Sequence, residues 1–356
     1  MPLTVLSVAF AFAPVGPHAV GGAEQILTEL DGALTAAGHT SLVLACEGSQ
    51  AAGTLFQTPL LGSNLYDAHS RLWCARQRQA CLDRILSQHD VDVIHMHGLD
   101  FHEYKLPPDI PVLVTLHLPV SWYPQGIWGR YSGRVQFQCV SETQRRSCPP
   151  ELRDSPVILN GVALPACMES KSDFAFMLGR ICPEKNQHEA LQAGSLAGVR
   201  VLLGGQVFPY QDHRTYFYER ILPLLNGDDS GVSHEFLGPI TPLRKQQLLG
   251  QAKCLLHPTL APETSSLVAL EALAAGTPVI AYPSGALPEI VDDGVTGFLV
   301  HNVEEMASAM NRVDEIRPED CRAAARQRFS RERMIQHYFQ LYSVMTEGAV
   351  REKCHA

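Results

Sequence analysis

The stretch "APETSSLVALEALAAGTPVIA", residues 261–281, sets one carboxylate, Glu263, ahead of a run of hydroxyls and a second, Glu271, inside the apolar helix that follows. Thr264, Ser265 and Ser266 supply N-cap hydroxyls, and Gly276 with Pro278 marks the far end. The apolar "CLLH" (254–257) comes before it and "PVIA" (278–281) after it, so the segment reads strand, loop, helix, strand. That is the repeating unit of a parallel sheet, in which ligands sit at the carboxyl ends of the strands, where loops enter helix N-termini.

The same alternation extends over the whole chain, twice. In the first half, strands are expected at 3–10, 40–47, 92–98, 111–118 and 134–141, with helices over 22–37 and about 70–88. In the second, strands are expected at 174–180, 199–205, 234–240, 253–259, 278–283 and 296–300, with helices near 187–197, 212–225, 242–251 and 265–275. The punctuated, polar "NGVALPACMESKSD" (160–173) reads as the linker. The expected architecture is α/β, with two doubly wound Rossmann-like domains, 1–165 and 166–330, facing each other across a cleft. A last helix, in 331–356, would pack back across both. A chain of 356 residues is long enough for two such cores.

Composition narrows the class of partner. A net charge of -9 argues against a main partner that is nucleic acid, which calls for a basic face. The apolar start, "LTVLSVAFAFAPV", has no basic leader, is broken by Pro14 and is too short to span a bilayer, so a cytoplasmic protein without a transmembrane segment is expected. Ten cysteines without a CxxC pair are read as reduced thiols.

A helix start carries unpaired N–H groups and a partial positive charge, which makes it an anion site. Carboxylates beside a phosphate accept hydrogen bonds, and vicinal diols are the natural donors. A diol, a diphosphate and a second diol together describe a nucleotide sugar, with the ribose at Glu271 and a hexose at Glu263. A capped amphipathic helix with two solvated glutamates fits the same spacing.

The stretch resembles the retaining glycosyltransferases of family 4, of GT-B fold. The likeness continues through "GALPEIV" (285–291), "DGVTGFLV" (293–300), "LGRICPEKNQHEAL" (178–191), "VLLGGQ" (201–206) and "FLGPITPLRKQQLLGQA" (236–252). In the first half it runs through "GGAEQILTELDGALTAAGH" (21–39), "DVIHMHG" (92–98), "VTLHLP" (114–119) and "ILNGV" (158–162). The resemblance implies that Arg180 and Lys185 bind the donor diphosphate, Glu271 the ribose and Glu263 the donor sugar. It further implies that the N–H groups of Ser265, Ser266 and Leu267 hold sugar or phosphate, and that Gly238, Pro239 and Ile240 lie against the base. Gly21 and Gly22 would be the glycine loop that meets the phosphate from the other domain, and His117 the histidine that touches the transferred sugar. Glu263, His117, Arg180 and Lys185 form the expected catalytic set. The implied donor is a UDP-sugar, the acceptor bears a hydroxyl, and neither cofactor nor catalytic metal is expected. Two departures touch the donor pocket: Ser265 and Ser266 stand where the family has Phe-Gly, and Asn186 stands where it has glycine.

Other signals point away from metal. Asp90 and Asp92 form a DxD pattern at the wrong edge of a strand, and His95, His97, His102 and Glu103 are read as a polar wall for an acceptor rather than a zinc site. The arginines of "RLWCARQRQACLDR" (71–84) are read as a solvated face, with contact to an anionic membrane the weaker reading. A nucleotide-sugar epimerase or hydrolase and a non-catalytic sugar-nucleotide or glycan binder are the alternative functions.

Overall fold

The computed structural model describes residues 2–60, 68–131, 135–225 and 231–355. The chain divides into two compact units, Met1–Asn160 with Glu332–Ala356, and Gly161–Arg331.

In the first unit six strands form one sheet: β1 (Thr4–Val8), β2 (Thr40–Cys46), β3 (Thr54–Thr58), β4 (Val93–Met96), β5 (Val112–Leu116) and β6 (Val135–Cys139). Their order is β3-β2-β1-β4-β5-β6, and every pairing is parallel. The central strands carry continuous apolar runs because helices cover both faces, and β4 and β5 are buried throughout. Strand β3, "TLFQT", is absent from the strand reading above. It lies at the edge, is only partly buried, and so lacks the apolar run that marks the others.

The second unit repeats the plan with β7 (Phe174–Leu178), β8 (Arg200–Gly204), β9 (Glu235–Gly238), β10 (Cys254–His257), β11 (Val279–Ala281) and β12 (Gly297–Leu299). Read from β9, the order is β9-β8-β7-β10-β11-β12, the same winding as in the first unit and again all parallel. The order reverses between β1 and β4 in one sheet and between β7 and β10 in the other. Those crevices are where a doubly wound sheet takes its ligand. Two helices, Val303–Arg312 and Pro318–Arg328, follow the last strand.

The division falls at Asn160/Gly161, ahead of the expected 165/166. Val162 pairs with Ser330, its N–H donating to the Phe329 carbonyl (2.9 Å) while its own carbonyl accepts from Arg331 (3.0 Å). A Cβ at Gly161 would overlap the Ser330 backbone, so glycine lets these two crossings lie side by side. The last helix spans Arg331–His355, and from Glu332 onward it belongs to the first unit. Its Tyr338 and Tyr342 are fully buried there. No helix among the described residues is long and apolar enough to cross a membrane.

Candidate active site

The loop after β10 and the turn after β7 meet at the reversal point of the second sheet. The Pro183–Lys185 turn follows the end of β7, and the Glu184 carbonyl accepts from the Leu260 N–H (2.9 Å) and from the Thr259 hydroxyl (3.1 Å). That docking brings the Lys185 ammonium onto the Glu263 carboxylate, with both side chains mostly buried. From the other side Gly285 presses on Glu263. Its φ of +60° suits glycine, a Cβ there would overlap the Glu263 backbone, and the Ala286 N–H donates to the Glu263 carbonyl (2.8 Å). The "GAL" of 285–287 thus holds the carboxylate loop in place.

His257, the last residue of β10, completes this cluster. Its Nε2 lies 3.5 Å from Glu263 and 3.1 Å from the Ser266 hydroxyl. Burial raises the Glu263 carboxyl, but the bond from His257 and the Lys185 charge outweigh it and hold the group at about 2. Burial likewise pushes His257 below its ordinary value, against the pull of Glu263. The site therefore holds an ionised carboxylate beside an ammonium, with a neutral imidazole behind them at pH 7.

Ser266 is the N-cap of the helix Leu267–Ala274, its Oγ accepting from the Ala269 N–H (3.4 Å), so the helix begins after Ser265 rather than at it. Ser265 and Leu267 flank the cap, where first-turn N–H groups have no intrahelical acceptor. Glu271, on the second turn of the helix, meets the Lys245 ammonium at 2.5 Å. Burial raises its carboxyl and Lys245 opposes the shift. Lys245 comes from the helix Pro242–Gln251, which begins just beyond Gly238, Pro239 and Ile240. Gly238 has φ +66° and accepts from the Gly205 N–H (2.9 Å), while Ile240 lies against Gly204.

Arg180 is exposed at the end of β7 and forms no ion pair among the described residues. Its carbonyl accepts from the Gln187 amide (2.7 Å). Asn186 adopts a left-handed conformation, φ 58°, ψ 38°. Asparagine is the residue most tolerant of that region after glycine, so the departure from glycine at 186 preserves the turn.

The remaining expected residues lie in the first unit. Gly21 is the N-cap of the helix Gly22–Ala36, and Gly22 is exposed at its first position. A Cβ at Gly21 would collide with the buried Glu24 carboxylate, whose pKa burial raises. His117 follows β5, and its Nε2 lies 3.1 Å from Nδ1 of His97. Burial lowers His117 to about 3 and drives His95 and His97 well below their ordinary values, so all three rings are neutral.

His95 enters a buried network. Its Nε2 donates to the Thr115 hydroxyl (2.7 Å), which donates to the Gln138 amide oxygen (2.8 Å), while its Nδ1 accepts from the Tyr342 hydroxyl (2.7 Å). The Tyr338 hydroxyl also donates to Gln138 (2.9 Å). The reading of 95, 97, 102 and 103 as an acceptor wall is therefore corrected for His95, which the last helix covers. His102 bonds the Leu99 carbonyl and Glu103 pairs with Arg78, so the four side chains do not converge on one ion. Asp92 caps the start of the sheet through the Thr4 N–H (2.7 Å), at the edge opposite the strands' carboxyl ends. The solvated-face reading of 71–84 is corrected at Arg78, which is buried against Asp100 (3.3 Å) and Glu103 (3.0 Å); Arg71 lies outside the described side chains. Arg76 and Arg84 are exposed, as read.

His257, Lys245 and Gly285 escaped the reading of the sequence. His257 does leave a signal in the chain, a histidine closing an apolar strand. Lys245 and Gly285 had none, because only folding sets them beside Glu271 and Glu263.

Comparison with known proteins bears on the family and the fold. The model of the glycosyl transferases group 1 matches residues 168–328, and that of glycosyltransferase family 4 matches residues 20–153. The D-inositol 3-phosphate glycosyltransferase of Mycobacterium avium is 36% identical over 143 residues, covering 39% of this chain and 32% of the relative. That of Saccharomonospora viridis is 54% identical over 59 residues, 16% of this chain and 14% of the relative. The aligned stretches thus span about a third or less of these relatives. Among solved structures, AviGT4, a glycosyltransferase involved in avilamycin A biosynthesis, aligns over 98% of this chain and 99% of its own at TM-score 0.73 and 24% identity. Anabaena HepE, in complex with UDP and glucose, aligns over 96% and 99% at TM-score 0.72 and 19% identity. With one family model on each sheet, and the GT-B fold reproduced across nearly its full length, this chain belongs to the family-4 glycosyltransferases of GT-B fold.

Proposed function

We propose that this protein transfers a sugar from a nucleotide-diphosphate sugar to a hydroxyl acceptor, with retention at the anomeric carbon and without a catalytic metal. The observation that carries the reading is the Lys185–Glu263 pair, fixed at the reversal point of the sheet beside the N-terminus of the helix Leu267–Ala274. Each partner of the pair is what one half of the donor needs. The diphosphate takes the Lys185 ammonium, and the hydroxyls of the sugar take the Glu263 carboxylate, which His257 and Ser266 keep in place. Glu271 offers the second carboxylate for the ribose diol once it shares or releases Lys245.

As the glycosidic bond breaks, charge grows on the departing diphosphate. Lys185, Arg180 and the helix N-terminus face that charge, and losing one such donor commonly costs about 3–4 kcal/mol in the barrier. Glu263 is committed to an ammonium and an imidazole, so it serves as a sugar ligand rather than a covalent nucleophile. A same-face displacement follows, in which an oxygen of the leaving phosphate takes the proton of the acceptor. Cationic side chains supply the electrostatics that a metal supplies elsewhere. UDP is the nucleotide favoured, since HepE has been solved with UDP and with UDP-glucose.

Calorimetric titration with UDP, GDP, ADP and dTDP in chelator tests the reading. One nucleotide is expected to bind, and Glu271→Ala to weaken it at least tenfold. Absence of binding by all four would overturn it.

A further inference from the structure

The turn between Arg180 and Lys185 gathers three side chains that the reading of the donor site does not employ. Cys182 is buried just before the turn, Glu184 is exposed on it, and His213 lies in the first turn of the helix Gln211–Tyr216 with only 8% of its surface exposed. One donor atom from each lies within 4.8 Å of the other two, the only such grouping among the described residues. The Cys182 thiol donates to the Arg180 carbonyl (3.5 Å) with Glu184 close by, and Nδ1 of His213 is buried with no partner. A buried ring nitrogen left unpaired keeps its full desolvation penalty, so its place here calls for a ligand.

The donor set says which ligand. Thiolate, imidazole and carboxylate together suit zinc and its neighbours, whereas magnesium and calcium take oxygen alone. In a tetrahedral zinc site adjacent donors stand about 3.3–3.7 Å apart, as the bond lengths require. No pair of donors therefore has to close by more than about 1.5 Å. The exposed Glu184 side chain can supply that by a change of rotamer, and it opens the path by which an ion would enter. Binding releases the Cys182 proton to solvent as the sulfur–metal bond forms. The two anionic ligands then balance the ion, against the charge of Arg180, which is felt at both Glu184 and His213.

We propose that Cys182, Glu184 and His213 form a site for one zinc-class divalent ion, with a fourth position left for water. The site would act on the donor loop through Glu184, whose carbonyl anchors Thr259 and Leu260. An ion on the side chain of Glu184 restrains the same residue whose backbone holds the approach to Glu263. The role is structural or regulatory, since the transfer itself uses Lys185 and Arg180.

The test reads the ion and not the reaction, so it stands apart from the proposed activity. Full-length protein stripped with chelator is titrated with Co²⁺ and then Zn²⁺, followed by absorbance. One equivalent of Co²⁺ is expected to give a thiolate-to-cobalt charge-transfer band, which Zn²⁺ abolishes. Cys182→Ser should remove the band, and His213→Gln and Glu184→Gln should each weaken binding about 10- to 100-fold. Cys167→Ser, at an exposed thiol outside the cluster, should leave the band unchanged. If Cys182→Ser fails to fold, the exposed Glu184→Gln carries the test. A wild type without the band, or variants at 182, 184 and 213 that bind as wild type does, would overturn the proposal.

Discussion

Each unit ends an apolar strand in a histidine-bearing loop, and the two histidine sites are built in opposite ways. His257 of the second unit faces a carboxylate that is already paired with an ammonium, so its surroundings are charged. His95, His97 and His117 of the first unit face hydroxyls and one another. The difference follows from what backs each site. Behind Glu263 lie a helix N-terminus and a lysine turn, which reward anionic charge. Behind His95 lies a helix that closes the core with two tyrosines, and there a charge would be stranded in a low dielectric. The ionised Glu263 sits beside a helix N-terminus, and the neutral bonds of His95 sit beneath the last helix.

The largest break in this contrast is expected at Lys185. Lys185→Ala should lower donor turnover about 10²- to 10³-fold, as loss of a charge-stabilising donor does, with the far-ultraviolet circular dichroism unchanged. Steady-state kinetics would settle it, and a loss under fivefold would remove Lys185 from the charge-stabilising role. Gly285→Ala comes next. A side chain at φ +60° costs about 1–2 kcal/mol before the overlap with Glu263 is counted, so a fall in Tm together with weakened nucleotide binding is expected.

The pH dependence separates the two sites. A histidine whose folded pKa lies below its unfolded value binds more protons when unfolded, so stability is full above about 6.5 and is lost as pH falls. For His117, lowered to about 3, the loss runs from 6.5 down to that value at about 1.4 kcal/mol per pH unit, and His95 and His97 act in the same direction. Glu263 has the opposite sign of charge. Its depressed pKa adds stability that is present above the usual carboxylate value and lost only as pH falls towards about 2. Between pH 6.5 and 5, hydrogen exchange should therefore quicken more in β4 and β5, beside three lowered histidines, than in β10, where His257 alone is lowered; equal quickening in both would contradict the contrast.

Smaller effects sharpen it. Tyr342→Phe deletes a donor to a buried acceptor, His95 Nδ1, and should destabilise the first unit by about 1–2 kcal/mol, as denaturant unfolding would report. Asn186→Gly should change stability by under 1 kcal/mol, whereas Asn186→Ala should cost about 1 kcal/mol, since only the second opposes the left-handed backbone.

What the residues determine alone is local. The apolar runs of the central strands, the glycine and serine at the ends of the helix Leu267–Ala274, and the carboxylates at 263 and 271 are visible because each depends on its own neighbours in the chain. Eleven of the twelve strands are legible for that reason, and β3 is not, because an edge strand needs no continuous apolar run. The pairing of Lys185 with Glu263 and of Lys245 with Glu271, the pressure of Gly285 and the place of His257 join residues distant in sequence. So does the network that ties His95, Thr115 and Gln138 to Tyr338 and Tyr342. Sequence periodicity encodes which side of an element is buried, but not what it is buried against. Only the tertiary structure, by winding both sheets in the same order, decided which loops share a crevice and hence which charges meet there.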